Sequence, residues 1–235
     1  MELDIRDASR LLNVGEETVY RWVRQRNLPA HTVDSQYRFN RVELLEWATA
    51  EQVVASPDLC SVPSANCSSI SLSDTIRAGG IHYGVEGCDT SAVLRAAIAR
   101  MPLPVDVDRE FMYAILMARE SLGSTGIGGG IAIPHVRNPI VLRVKMPLIT
   151  LCFLEHAIDF DAIDGEPVRT LFTLVSPTVA IHLRLLSHLT YALSQPALRA
   201  LIRSQAAPEV ILAEAARVDA AIAQRKPHHR EGARS

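Results

Sequence analysis

The stretch GSTGIGGGIAIPH, Gly123 to His135, sets a glycine-rich run directly against one histidine. Three chemistries compete for it. A Walker-type phosphate loop needs Lys and then Ser or Thr after its last glycine, and here Ile131 follows Gly130. A dinucleotide fingerprint needs strand, loop and helix in that order. Here the glycines follow the helical pattern EFMYAILMARESL and precede IAIPH, which reads as a strand. The third chemistry belongs to His135. A neutral imidazole keeps one unprotonated nitrogen near physiological pH and attacks without a separate strong base. In phosphoryl transfer the surroundings must neutralise the moving group. The backbone at Gly126 and Gly128, the hydroxyls of Ser124 and Thr125, and the Arg119 guanidinium at the end of the preceding helix are donors of the right kind.

A second chemistry lies near the N-terminus. Residues 1–50 carry seven arginines against eight acids, yet within 20–41 Arg21, Arg24, Arg26, Arg38 and Arg41 face only Asp34. Positive charge gathered in this way suits a phosphate backbone, although the whole chain carries a net charge of −2. The residues around it form a helix, a turn at Gly15 and a second helix, EETVYRWVRQ, with acids at the positive end of its dipole. Val19, Trp22 and Val23 share its inner face, while Thr18, Tyr20, Arg21 and Arg24 fall on others. That geometry fits a major groove. NLPAHTVDSQYRF then reads as a small β wing, and NRVELLEWATAEQV as a further helix with Asn40 as its candidate cap.

The elements that position His135 lie further along. TSAVLRAAIARM, DREFMYAILMARESL, IHLRLLSHLTYALS, PALRALIRSQ and APEVILAEAARVDAAIA have helical spacing, whereas MPLITLCFL and VRTLFTLVSP have strand length. Their alternation predicts an α/β layer fold with one sheet. Between the two patterns, ASPDLCSVPSANCSSIS has the composition of a flexible connector. The expected organisation is a reader domain at 1–53, a linker at 54–69, an α/β domain at 70–223 and a disordered tail at 224–235. Asp159, Asp161 and Asp164 in DFDAID suit a turn better than a divalent metal, because no well-spaced further ligand follows. His188, His156 and His82 are expected at the surface. Cys60, Cys67, Cys88 and Cys152 lack zinc spacing and read as free thiols in a reducing cytoplasm. Neither a secretory start nor an apolar run of membrane-spanning length is visible.

Two resemblances follow from these motifs. AxxLxVxxxTVYRWVRxxxLPA, with YRFxRxELLEW after it, resembles the excisionase/MerR-like winged helix-turn-helix family. This implies DNA contacts from Thr18, Tyr20, Arg21 and Arg24 near the groove and from Arg38 in the wing. Glu16 and Glu17 depart from the expected charge and would repel phosphates. RESLGSTGIGGGIAIPH, FDAIDGEPVRTLFTLVSP and IHLRLLSHLTYAL, in that order, resemble the type-2 enzyme IIA domain of the phosphoenolpyruvate–sugar phosphotransferase system, in its nitrogen-regulatory and fructose/mannitol branch. The resemblance implies a mixed sheet flanked by helices. It makes His135 the phosphoryl acceptor, Arg119 the arginine that stabilises phosphate, and His182 the second histidine. The implied donor is an HPr-type phosphocarrier, with no metal and no organic cofactor. Val136 stands where that family usually has glycine, so a β-branched side chain is expected to stiffen the turn and crowd a docking partner. Gly129 stands where a polar residue is common.

A DNA reader joined to a phosphorylatable domain implies a transcriptional regulator, paired on its DNA as a homodimer and away from the membrane. A phosphocarrier for sugar uptake or a nitrogen-branch relay, without a DNA role, is the alternative. An interaction protein that has lost both activities is the third reading.

Overall fold

The computed structural model describes residues 2–26, 28–33, 36–40, 43–44, 47–48, 51, 53, 70–136 and 144–224. The expected linker and residues 225–235 of the expected tail lie outside them, as do Cys60, Cys67 and Arg41.

The N-terminal part begins with β1 (Glu2–Leu3), α1 (Ile5–Leu11) and α2 (Glu16–Gln25), followed by β2 (His31–Val33) and β3 (Gln36–Asn40). The Asp4 side chain caps α1 by accepting the Asp7 N–H at 2.8 Å. The turn between the helices departs from expectation. Its left-handed residue is Asn13, at φ 52°, while Gly15 is extended and caps α2. Asparagine tolerates the left-handed region, so glycine is not required for the reversal. β2 and β3 make the expected wing, and β1, which the sequence patterns did not suggest, adds antiparallel to the other side of β3. Val19, Phe39 and Leu44 are fully buried there. Trp22 packs on Trp47, whose indole N–H donates to the Arg26 carbonyl at 2.9 Å. Of the helix expected after Asn40, the described residues 43–44 and 47–48 are helical, whereas Asn40 ends β3, Glu51 lies in a turn and Val53 is outside the helix.

The second part runs α3 (Leu72–Gly79), β4 (Ile81–Val85), α4 (Thr90–Arg100), α5 (Arg109–Glu120), β5 (Gly126–Gly128), β6 (Ile131–Ala132), β7 (Leu148–Ile158), β8 (Val168–Val175), α6 (Val179–Ser194), α7 (Pro196–Arg203) and α8 (Pro208–Gln224). Its five strands are ordered β4-β7-β8-β6-β5, with β4/β7 and β6/β8 parallel and the other pairs antiparallel. The single sheet is the one the alternating pattern predicts, and its mixed pairing is what the enzyme IIA resemblance implies. Helices cover both faces, so β7 and β8 read as nearly continuous apolar runs. Cys152, Leu171 and Val175 join α4 and α5 in one core, while Phe153, Phe172 and Leu174 join α3 and α6–α8 in the other.

Gly79 lets α3 close on β7. A Cβ there would stand 2.2 Å from the Ile149 carbonyl oxygen. The far end of α3 is held by α8. Asp219 accepts the Leu72 N–H at 2.8 Å, the Ser73 N–H at 3.0 Å and the Ser71 hydroxyl at 2.9 Å. A carboxylate at a helix N-terminus satisfies donors that the helix itself leaves unpaired.

His188 is not the surface residue expected from its spacing. It lies buried on α6, with 6% of its surface exposed, because helices cover the face that spacing alone left ambiguous. Burial, with Arg184 beside it, lowers its pKa to about 4, and Asp219 only partly opposes this. A histidine kept neutral in the fold takes up its proton on unfolding below the ordinary value of 6.5. Its contribution is complete above pH 6.5 and is lost as pH falls towards 4. Between pH 7 and pH 5 the protein is therefore expected to lose on the order of 2 kcal/mol through this one group. Unfolding free energies from urea titrations at the two pH values should differ less in His188→Leu by that amount. An equal loss in the variant would contradict the assignment.

Candidate functional site

The parallel pairing of β6 with β8 places His135. Ile131 pairs with Thr170 and Ala132 with Leu171, and the chain then continues to an isolated bridge between His135 and Leu174. The Leu174 N–H donates to the Pro134 carbonyl at 3.0 Å, which locks the approach to the histidine. The His135 ring is fixed by its own chain, with Nδ1 2.7 Å from the Ile133 carbonyl oxygen. A carbonyl only accepts, so Nδ1 carries the proton and the lone pair is left on Nε2.

β8 leads straight to the second histidine. Thr178 caps α6 by accepting the Ile181 N–H, and His182 occupies the first helical turn. Its Nδ1 is 3.2 Å from the Ser176 hydroxyl. The two imidazoles lie 5.4 Å apart, centroid to centroid, with their planes at 40°. A dianion arriving at His135 would thus meet a second imidazole and the positive end of a sixteen-residue helix. Both rings are covered, with 3% of His135 and 0% of His182 exposed.

The remaining residues expected around His135 divide into two groups. The loop after α5 lies beside the strand that leads to it, since the Thr125 carbonyl accepts the Ile133 N–H at 3.0 Å. Within that loop the Arg119 guanidinium donates to the Gly123 carbonyl at 2.8 Å. The Ser124 hydroxyl donates to the Phe160 carbonyl and accepts the Gly126 N–H at 2.9 Å. Thr125 gives both its N–H and its hydroxyl to the Glu120 carboxylate, each at 2.7 Å. Both hydroxyls thus hold the loop's own shape. Gly126 is needed for packing, because a Cβ there would stand 2.7 Å from that of Ala162.

Gly128 belongs elsewhere. β5 and β6 form a hairpin whose reversal uses Gly128, Gly129 and Gly130 at φ 84°, 63° and 74°, conformations open to glycine. That reversal sits beside Pro167 and Arg169, at the opposite end of β8 from His135. The glycine run is therefore a hairpin turn and not a cradle around the histidine. Val136 also departs from expectation. Its side chain is fully buried in the core under α4 and α5, so it does not present a crowding surface to a partner. The carboxylates of DFDAID serve turns. Asp159 accepts the Asp161 N–H, and Asp164 accepts those of Gly129 and Glu166.

In the N-terminal part Arg26 lies 3.6 Å from Glu51, which offsets its charge. Tyr20, Arg21 and Arg24 are exposed on α2, while Thr18 and Arg38 are half-buried. Tyr20 packs against Tyr37 of the wing with ring centroids 5.9 Å apart, and Arg38 donates to the Gln36 side chain at 3.2 Å. Glu16, expected to repel phosphate, lies 3.6 Å from Arg6, which offsets part of its charge.

Two residues that matter were not visible to sequence reasoning. Ser176 orients His182, and its only local signal was the cap-like Ser-Pro-Thr ahead of α6. Leu183, next to His182, is 5% exposed and packs with Leu3, Leu11, Phe39 and Trp47 in the core of the N-terminal part, with Val179 beside it. No sequence signal could assign one leucine of an apolar helix to a distant core.

A family model for the phosphoenolpyruvate-dependent sugar phosphotransferase system, EIIA 2, matches residues 88–215. A helix-turn-helix domain model matches residues 2–52. The chain is 36% identical over 146 residues to the nitrogen regulatory protein of Pseudomonas aeruginosa, covering 60% of this chain and 92% of that protein. It is 40% identical over 94 residues to the nitrogen regulatory protein of Escherichia coli, covering 39% of this chain and 53% of that one. Among solved structures, nitrogen regulatory protein IIA-Ntr from Neisseria meningitidis is similar with a TM-score of 0.53 and 26% identity, over 61% of this chain and 98% of the other.

Proposed function

Because this chain belongs to the type-2 EIIA family of the phosphoenolpyruvate-dependent sugar phosphotransferase system and carries a helix-turn-helix domain in front, we propose that it is a transcriptional regulator that reads phosphotransferase state. In this reading His135 takes a phosphoryl group from an HPr-type phosphocarrier in the cytoplasm. The lone pair of Nε2 attacks phosphorus, the N–P bond of the donor phosphohistidine breaks, and the donor imidazole leaves with the bonding pair. Nδ1 keeps its proton and goes on donating it to the Ile133 carbonyl, which supports the positive charge that develops in the ring. His182, held by Ser176, and the N-terminus of α6 offset the incoming negative charge. Arg119 closes on the phosphoryl oxygens after leaving Gly123.

The observation that carries the regulatory half of this reading lies on α6. One residue of that helix faces His135, and the next is packed into the core of the DNA reader. A phosphocarrier cannot reach a histidine that is 3% exposed, so transfer requires the cover to open. A phosphoryl group carrying nearly two negative charges then opposes its return. This contact favours a regulator over a phosphocarrier with no DNA role. Incubation with phosphoenolpyruvate, enzyme I and HPr tests the first half. Intact mass should rise by one phosphoryl group, and active donors that leave the mass unchanged would remove the reading.

The DNA half makes its own prediction. Arg21→Ala and Arg24→Ala should each weaken DNA binding and reduce the salt slope of the affinity by about one. Anisotropy titrations at several salt concentrations would check this, and slopes equal to the unsubstituted protein would place the phosphate contacts elsewhere. Docking on paired half-sites as a homodimer belongs to the same proposal.

A further inference from the structure

The hairpin reversal at Gly128–Gly130, remote from His135, lines a recess of about 70 Å³. Three arginines meet there, Arg169 from β8 with Arg199 and Arg203 from α7, around Gly129 and Gly130, with Thr170 below. A single water needs roughly 10–15 Å³ by the same measure, so the space suits one group of a few heavy atoms. Among the described residues, the guanidinium groups of Arg169 and Arg203 make no ion pair. Arg199 lies 3.5 Å from the Gly128 carbonyl.

Asp164 faces the turn, and its oxygens already accept the Gly129 and Glu166 N–H groups, at 2.7 and 3.1 Å. The Gly129 N–H chiefly holds its carboxyl below the ordinary range, and Arg199 adds to this. It remains ionised and offsets one of the three positive charges. The recess is therefore cationic and half-built for an anion. Gly129 makes the space available, because a Cβ there would stand 2.5 Å from a terminal nitrogen of Arg199. A side chain at that position would displace the guanidinium or fill the recess.

We infer that this recess binds one phosphate group, either inorganic phosphate or the phosphoryl end of a small metabolite. A carboxylate presents two oxygens in one plane and is satisfied by a single arginine fork. Three arginines lining one recess from two elements suit a tetrahedral oxyanion, which offers acceptors on every side. Ile131 and His135 are separated by four residues of extended chain, about 13 Å, so this anion lies apart from the phosphoryl-transfer site. It would act as a second input to the same domain, in addition to transfer at His135.

The test is calorimetric titration of the full chain at constant ionic strength, with inorganic phosphate in one arm and glycerol 3-phosphate in the other. One saturable equivalent is expected in at least one arm, and the tighter arm identifies the source. Arg169→Gln combined with Arg203→Gln keeps Arg199 on the hairpin and should weaken binding at least about tenfold. His135→Ala should leave binding unchanged, which separates this site from the transfer site. Absence of saturable binding in both arms, equal affinity in the double variant, or loss in His135→Ala would each overturn the assignment.

Discussion

His135→Ala is expected to gain no phosphoryl group under conditions that fully charge the unsubstituted protein. The loss is complete because the substitution removes the nitrogen that attacks in the proposed transfer. Nδ1 donates to the Ile133 carbonyl, and Nε2 is the nucleophile in that proposal. His182 does not substitute for it, being fully buried and held through Nδ1 by Ser176. His182→Ala should behave differently. The acceptor remains, but the second imidazole 5.4 Å away is gone, and transfer should slow on the order of 100-fold with no loss of final stoichiometry. Time-resolved intact mass separates the two outcomes. A phosphoryl group on His135→Ala would move the chemistry to another residue.

The second large effect concerns Leu183. It sits in the core of the helix-turn-helix part and not in either core of the α/β part, so its replacement reports on the contact between the two. Leu183→Asp removes the burial of a leucine side chain, about 1.5–3 kcal/mol, and adds the cost of a buried charge. The docked population should fall at least about tenfold. If that contact covers His135, phosphoryl transfer should accelerate by a comparable factor. Amide exchange around Ile133–His135 should also quicken. Leu183→Met, which conserves volume, should leave both near the original values. A transfer rate unchanged in Leu183→Asp would mean that docking does not gate the histidine.

Much of this architecture was legible beforehand, for identifiable reasons. β7 and β8 are buried on both faces, so their apolar runs stood out, and the helices α4–α8 carried clear periodicity. The histidine pair was legible only through family resemblance, since no spacing rule joins residue 135 to residue 182. Three features escaped because each depends on a contact distant in sequence. Helix α3 is short and is capped by Asp219, 147 residues after Leu72. His188 has the spacing of a surface residue until α6 is covered by its neighbours. The glycine run looked like a phosphate cradle beside His135, but β6 is too short to show in sequence which of its ends the turn occupies. Composition identified the glycines, and only strand register placed them.

Coupling between the two domains is tested most directly by DNA affinity measured before and after phosphorylation of one sample. A DNA site selected by the protein from a random pool would be labelled and titrated with unmodified protein. The titration would be repeated with protein charged by phosphoenolpyruvate, enzyme I and HPr, with His135→Ala treated identically as control. Coupling through α6 predicts that phosphorylation changes the affinity between about 5- and 150-fold, and that His135→Ala shows no change. Equal affinity in the charged and uncharged protein, with phosphorylation verified by mass, would contradict it.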